Sequence, residues 1–113
     1  MVWQNAKITG TQLGPEDHGI FTCYLSLDLG SAGTSFGGYD LRGPWGWQFI
    51  EKILSTVGVR QWEQLPGKYV RVKTLDGGTS LGHIVEDRWF DPRSFMNDAL
   101  EDAAADRHAR GPV

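Results

Sequence analysis

The chain has 113 residues, 40% hydrophobic, 12% aromatic and 22% charged, the composition of one soluble domain with a modest core, so residues 1–113 are read as a single domain. Its formal net charge of −3 and isoelectric point near 5.5 exclude a general nucleic-acid coat, which needs excess Lys and Arg against phosphates, but leave room for a local basic pocket. The single cysteine, Cys23, excludes a disulfide framework and a thiolate zinc cluster. The start MVWQNAK has no secretory pattern and no apolar run is long enough to span a bilayer, so the expected location is the cytoplasm, with no membrane partner.

From the N-terminus, Ala6 to Leu13 alternates weakly and predicts a first strand, followed by a turn at Gly14-Pro15-Glu16-Asp17-His18-Gly19. Ile20 to Leu29 alternates strictly, with Phe21, Cys23, Leu25, Leu27 and Leu29 apolar, and predicts a second strand in hairpin with the first. The Gly/Ser stretch after Leu29 leads into a third strand, Ser35 to Leu41, pairing back on the second. Then the period lengthens. Ile50, Ile53, Leu54 and Val57 recur at three- and four-residue steps, predicting a helix from about Trp45 with Gly58 as its stop. Gln61 to Leu65 adds one turn, closed by Pro66-Gly67.

Lys68 to Leu75 sets Tyr69, Arg71 and Lys73 against Val70, Val72 and Thr74, and Asp76-Gly77-Gly78 reverses the chain into a strand led by Leu81 to Val85. Asp91-Pro92 reads as an N-cap with proline at the first helical position. Phe95, Ala99, Leu100 and Ala103 line a C-terminal helix, with 104–113 a frayed tail. The predicted order β-β-β-α-β-β-α specifies an α+β domain: a five-stranded antiparallel sheet, one helix inserted after strand 3, and a C-terminal helix.

Three groups of residues carry candidate chemistry. In the first, Phe36 to Trp47, glycines and an arginine feed a helix N-terminus, where amides attract anions and Tyr39, Trp45 or Trp47 can stack on a planar base beside Arg42; the same glycines and tryptophans also make sense as turns and a roof over the core. The second is a basic strip, Arg71 and Lys73 on one strand face with Arg88 brought near by the hairpin, which also reads as a solvated sheet face. In the third, Arg88-Trp89-Phe90, one aromatic faces inward and the other, Trp89, is expected outside as an oligomer anchor. Cys23 falls in a strand's apolar register and is expected to be buried and inert, and Glu16-Asp17-His18 reads as a solvated turn. The histidines His18, His83 and His108 have no ligand spacing, so no catalytic residue, metal or cofactor is expected.

The segments Ile8 to Gly14, Glu16 to Ile20, Phe36-Gly37-Gly38-Tyr39, Phe49-Ile50, Trp62-Glu63, Leu65 to Val72, Gly82-His83-Ile84 and Trp89 to Pro92 resemble a group of small, chiefly uncharacterised bacteriophage and prophage proteins. The element order also looks like that of phage sponge proteins that oppose Thoeris defence by trapping a cyclic ADP-ribose-type signal. The resemblance implies a non-enzymatic host-defence antagonist in the infected bacterial cytoplasm. Such a protein would be a homo-oligomer sequestering a cyclic nucleotide or cyclic ADP-ribose-type molecule through Tyr39, Arg42, Trp45, Arg71, Lys73 and Arg88. One alternative is an anti-CRISPR-type inhibitor of a host defence protein, using the acids Glu86, Asp87, Asp98, Glu101, Asp102 and Asp106. A phage recombination or single-strand-binding accessory is another, with the acidic isoelectric point against it, and a nucleotide-acting enzyme with His83 or His18 as its base is a further one.

Overall fold

The computed structural model describes residues 3–75 and 78–98. Its elements are β1 (Trp3–Pro15), β2 (Phe21–Asp28), β3 (Gly33–Gly37), α1 (Gly46–Val57), a 3-10 turn (Trp62–Gln64), β4 (Tyr69–Leu75), β5 (Gly78–His83) and β6 (Trp89–Phe90), followed by helical residues 92–98, here α2. The strands form one antiparallel sheet in the order β3-β2-β1-β4-β5-β6. The fold is α+β as expected, but with six strands in place of five. The expected returning strand stops at His83, because residues 84–87 bend and send the chain back along β5. The His83 imidazole Nδ1 accepts the backbone N–H groups of Val85 (3.1 Å) and Glu86 (2.9 Å), and the His83 N–H reaches the Arg88 carbonyl at 2.9 Å. A turn built by a side-chain acceptor carries no Gly or Pro signal.

β1 is longer than its sequence pattern because it serves two partners. Trp3 to Lys7 pairs with β4 and Lys7 to Pro15 with β2, with a register shift between Ile8 and Gly10. The third strand is shorter than expected. Gly37 and Gly38 adopt positive φ, and a Cβ on Gly37 would stand 2.1 Å from the Cys23 carbonyl oxygen, so only glycine fits that approach and regular pairing ends there.

One face of the sheet carries the core. Ala6, Ile8, Cys23, Leu25, Leu27, Phe36, Val70, Val72, Leu81 and Phe90 bury themselves against Phe49, Ile53 and Val57 of α1 and against Leu41 and Leu65. The alternation of β2 holds from Cys23 to Leu27, whereas Phe21, at the strand end, is 40% exposed. The buried stripe of α1 is Gly46, Phe49, Ile53, Thr56 and Val57. Ile50 and Leu54, expected among its core contacts, are only partly buried, since the larger Phe49 ring takes the innermost position. α1 ends at Gly58, in the left-handed region with φ 93°. Asp91 caps α2 as its sequence suggests: Oδ1 accepts the Arg93 N–H at 3.1 Å and Pro92 follows, buried. The turn residues Asp76 and Gly77, the helix positions Ala99, Leu100 and Ala103, and the tail 104–113 lie outside the described residues.

Phe49 joins these pieces through edge contacts, its ring centroid 5.0 Å from Phe90 and 5.8 Å from Phe95, and through a tilted contact with Tyr39 at 5.5 Å. Such pairs contribute about 0.5–1.5 kcal/mol each beyond area burial. Phe49→Ala should therefore cost about 3–5 kcal/mol, read as a lowered urea midpoint; a loss below about 1 kcal/mol would show that the cluster does not hold α1 to the sheet.

Candidate ligand-binding face

Side chains alternate across a strand, so every residue out of register with the core emerges on the opposite face. With Val70 and Val72 inward, Tyr69, Arg71 and Lys73 of β4 point outward, and the pairings Trp3↔Lys73, Asn5↔Arg71 and Lys7↔Tyr69 place Trp3, Asn5 and Lys7 beside them. On the other flank Arg71 opposes Gly82, and Gly82 opposes Trp89. Both helical segments pack on the core face, so among the described residues nothing covers this outer face. Trp3 is 49% and Tyr69 57% exposed.

The outward residues are cations set against aromatic rings. The Arg71 guanidinium carbon lies 5.2 Å from the Trp3 ring centroid and 4.9 Å from that of Trp89. Lys73 Nζ stands 4.1 Å over Trp89 and Lys7 Nζ 5.9 Å over Tyr69. Contacts of this kind contribute about 0.5–1 kcal/mol at exposed positions. Arg71 is held more firmly than the lysines: its Nε donates to the His83 carbonyl and its Nη2 to the Glu86 carbonyl, both at 2.6 Å. It thus ties the bend at 84–87 to β4. The Trp89 ring lies over Gly82, where a Cβ would come within 2.6 Å of it; the missing side chain lets the indole rest on the sheet. A shallow groove of about 270 Å³, lined by Asn5, Lys7, Asp28, Gly30 and Tyr69 among others, continues the face at its Tyr69 end.

Of the sequence-predicted residues, Arg71, Lys73 and Trp89 come together here and the others do not. Arg88 comes from the adjacent position and turns to the other side. Its guanidinium pairs with Glu86 Oε2 at 2.9 Å and lies beside Gly58, where a cation suits the carbonyl end of α1. The Gly-rich segment sits at the far end of the sheet. The Leu41 N–H bonds the Phe21 carbonyl, and Phe21 pairs with Pro15, whereas Arg71 pairs with Asn5; ten residues of extended strand span roughly 33 Å.

Arg42 there forms a two-bond pair with Asp40 (Nε–Oδ1 3.0 Å, Nη2–Oδ2 2.8 Å), whose hydrogen bonds hold the Asp40 carboxyl down at about 2. Tyr39 packs on Phe49, and burial, then the charge of Asp91, pushes its phenol above the ordinary value. The Trp45 ring lies against Gly43, its indole nitrogen buried without a hydrogen-bond partner. A single pocket joining the Gly-rich segment to the basic strip is therefore not formed.

Trp3, Lys7 and Tyr69 belong to the face although sequence reasoning did not nominate them. Tyr69 was visible as a register mate of Arg71 and Lys73. Trp3 and Lys7 become neighbours only through the β1–β4 pairing, a non-local contact.

The other candidate chemical groups are engaged locally. Glu16 Oε1 accepts the N–H groups of His18 (2.6 Å) and Ile20 (3.1 Å), the pattern of a capped turn. Among the described residues, no three His, Cys, Asp or Glu converge as a metal site, and no helix is long and apolar enough to cross a membrane. Asp98 is exposed, while Glu101, Asp102 and Asp106 lie outside the described residues. Comparison with protein-family models and with curated proteins finds no match to the chain. The functional reading therefore rests on the geometry of the outer face.

Cys23 is 1% exposed, and burial pushes its thiol from the ordinary 9.0 to about 12. The folded protein keeps this proton where the unfolded chain loses it, so Cys23 lowers stability as pH rises from about 9 towards 12, by at most about 1.4 kcal/mol per unit. Below that window it contributes no pH dependence. Native protein should resist iodoacetamide at pH 8 and react fully in denaturant; rapid native alkylation would contradict the assigned burial.

Proposed function

We propose that the protein binds a nucleotide-derived, phosphate-bearing molecule on its outer sheet face and holds it without turnover. Encoded by a phage, such a protein would oppose host defence by withdrawing a nucleotide immune signal. The observation that carries the reading is Arg71, flanked by the Trp3 and Trp89 rings with Lys73 and Lys7 alongside. Aromatic faces accept a planar base, and among the described residues the lysine ammonium groups make ring contacts and no ion pair, so they can turn to phosphate oxygens. The face thus supplies positive charge locally on a chain whose net charge is −3.

Retention without chemistry is supported by the state of the reactive groups. Cys23 is buried with a raised thiol pKa and lies in the core register, away from the face. His83 Nδ1 is occupied by two backbone N–H groups, so that nitrogen is not free to take a substrate proton.

Incubation with cyclic nucleotides and cyclic ADP-ribose isomers, removal of free ligand, and heat release should return the ligand chemically intact. Trp89→Ala should lower the retained amount about tenfold, in line with about 1–3 kcal/mol per stacked base, and Lys73→Ala about tenfold through the lost charge-assisted bond to phosphate, whereas Arg42→Ala should retain the wild-type amount. Release of an altered product, or loss of retention in Arg42→Ala with Lys73→Ala unaffected, would overturn the proposal.

A further inference from the structure

Resting on the outer face as the binding site, we infer that its ligand class is single-stranded nucleic acid, held through two or three unpaired bases. The face is longer than one nucleotide needs. From Tyr69 to Lys73 it runs four residues along β4, roughly 14 Å at about 3.4 Å per residue, and from β1 to β6 it crosses four strands. Its aromatics are spread over that area: Tyr69 at one end, Trp89 in the middle and Trp3 opposite Lys73 at the other end. Each has a cation beside it. A sheet presenting separated rings with intervening positive groups is how single strands are held, bases stacking on successive rings while the backbone follows the charges.

Three further observations favour a strand over other occupants. A duplex hides its base faces and offers a rigid surface mainly of phosphates, for which three cations are too few on an acidic molecule. A second copy of this chain, docked face to face, would bring Lys7, Arg71 and Lys73 against a like set, which disfavours self-association through this surface. Among the described residues the surface is open, since both helical segments lie behind the sheet, so a strand can enter and leave at either end. The parts also divide the work. Arg71, fixed by two carbonyls, is a constant positive plane, while Lys7 and Lys73 can exchange a ring contact for a phosphate.

The test is tryptophan fluorescence titration of the full chain with a homopyrimidine single strand of about ten nucleotides, within the usual range of site sizes. The same sequence as a duplex, AMP and a cyclic dinucleotide are titrated in parallel. The single strand should quench saturably and bind at least ten times more tightly than any of the other three. Two or three phosphate contacts predict a shallow salt dependence, a slope of log K against log salt of about −2 for a single strand. Trp3→Ala and Tyr69→Ala, both at exposed positions, should each weaken strand binding about tenfold, and Arg42→Ala should not. If AMP or the cyclic dinucleotide binds as tightly as the strand, the single-strand assignment falls and nucleotide binding stands. If none of the four binds, both fall. A concentration-dependent rise in mass that Trp3→Ala abolishes would make the face a self-association surface and overturn the inference.

Discussion

The outer face depends on how Arg71 is held. A guanidinium on a central strand has five donors, and two of them are committed at 2.6 Å to the carbonyls of His83 and Glu86, bonds that a charged donor makes about twice as strong as neutral ones. Those bonds fold residues 84–87 back and bring β6 alongside β5. β6 in turn delivers Phe90 to the core and Trp89 to the outer face. The same side chain therefore fixes a strand, completes the core and sets the positive centre of the face. The His83 imidazole closes the bend from inside by accepting two backbone N–H groups at Nδ1.

The two faces divide the labour of the sheet. On the inner side, aromatic edges around Phe49 knit β3, α1, β6 and α2 into one core. On the outer side, the aromatics meet cations. Antiparallel sheets commonly bury one face and leave the other to solvent, but a solvated face does not ordinarily carry two tryptophans and a tyrosine at alternate positions. Of these rings Trp3 and Tyr69 are exposed and Trp89 is half-buried, and contiguous exposed apolar surface marks a binding surface. The chain's acidic balance has the complementary effect: away from this face it repels polyanions, confining attraction to one place.

Much of the architecture was legible because it is local. The strict alternation around Cys23, Leu25 and Leu27, the helical spacing of Ile53 and Val57 before Gly58, and the Asp91-Pro92 cap each state their structure within a few residues. The sixth strand was not, since its bend is made by the His83 ring and an arginine twelve residues earlier in the chain, with no Gly or Pro to announce it. The site was half legible. Arg71 and Lys73 share a face by simple alternation, but Arg88 leaves it because the bend turns the chain, and Trp3 joins it only through pairing across the sheet. The Gly-rich segment misled for a related reason: Tyr39 and Arg42 have the right chemistry, yet their nearest partners, Phe49 and Asp40, had already claimed them.

The most direct measurement is a heteronuclear NMR titration following the five indole N–H signals as a homopyrimidine single strand is added. The chain supplies its own control in Trp47, 64% exposed on α1 behind the sheet. The account predicts that the Trp3 and Trp89 signals move together and saturate at one concentration while Trp47 stays in place. Movement of Trp47 with Trp3 and Trp89 unperturbed would contradict it.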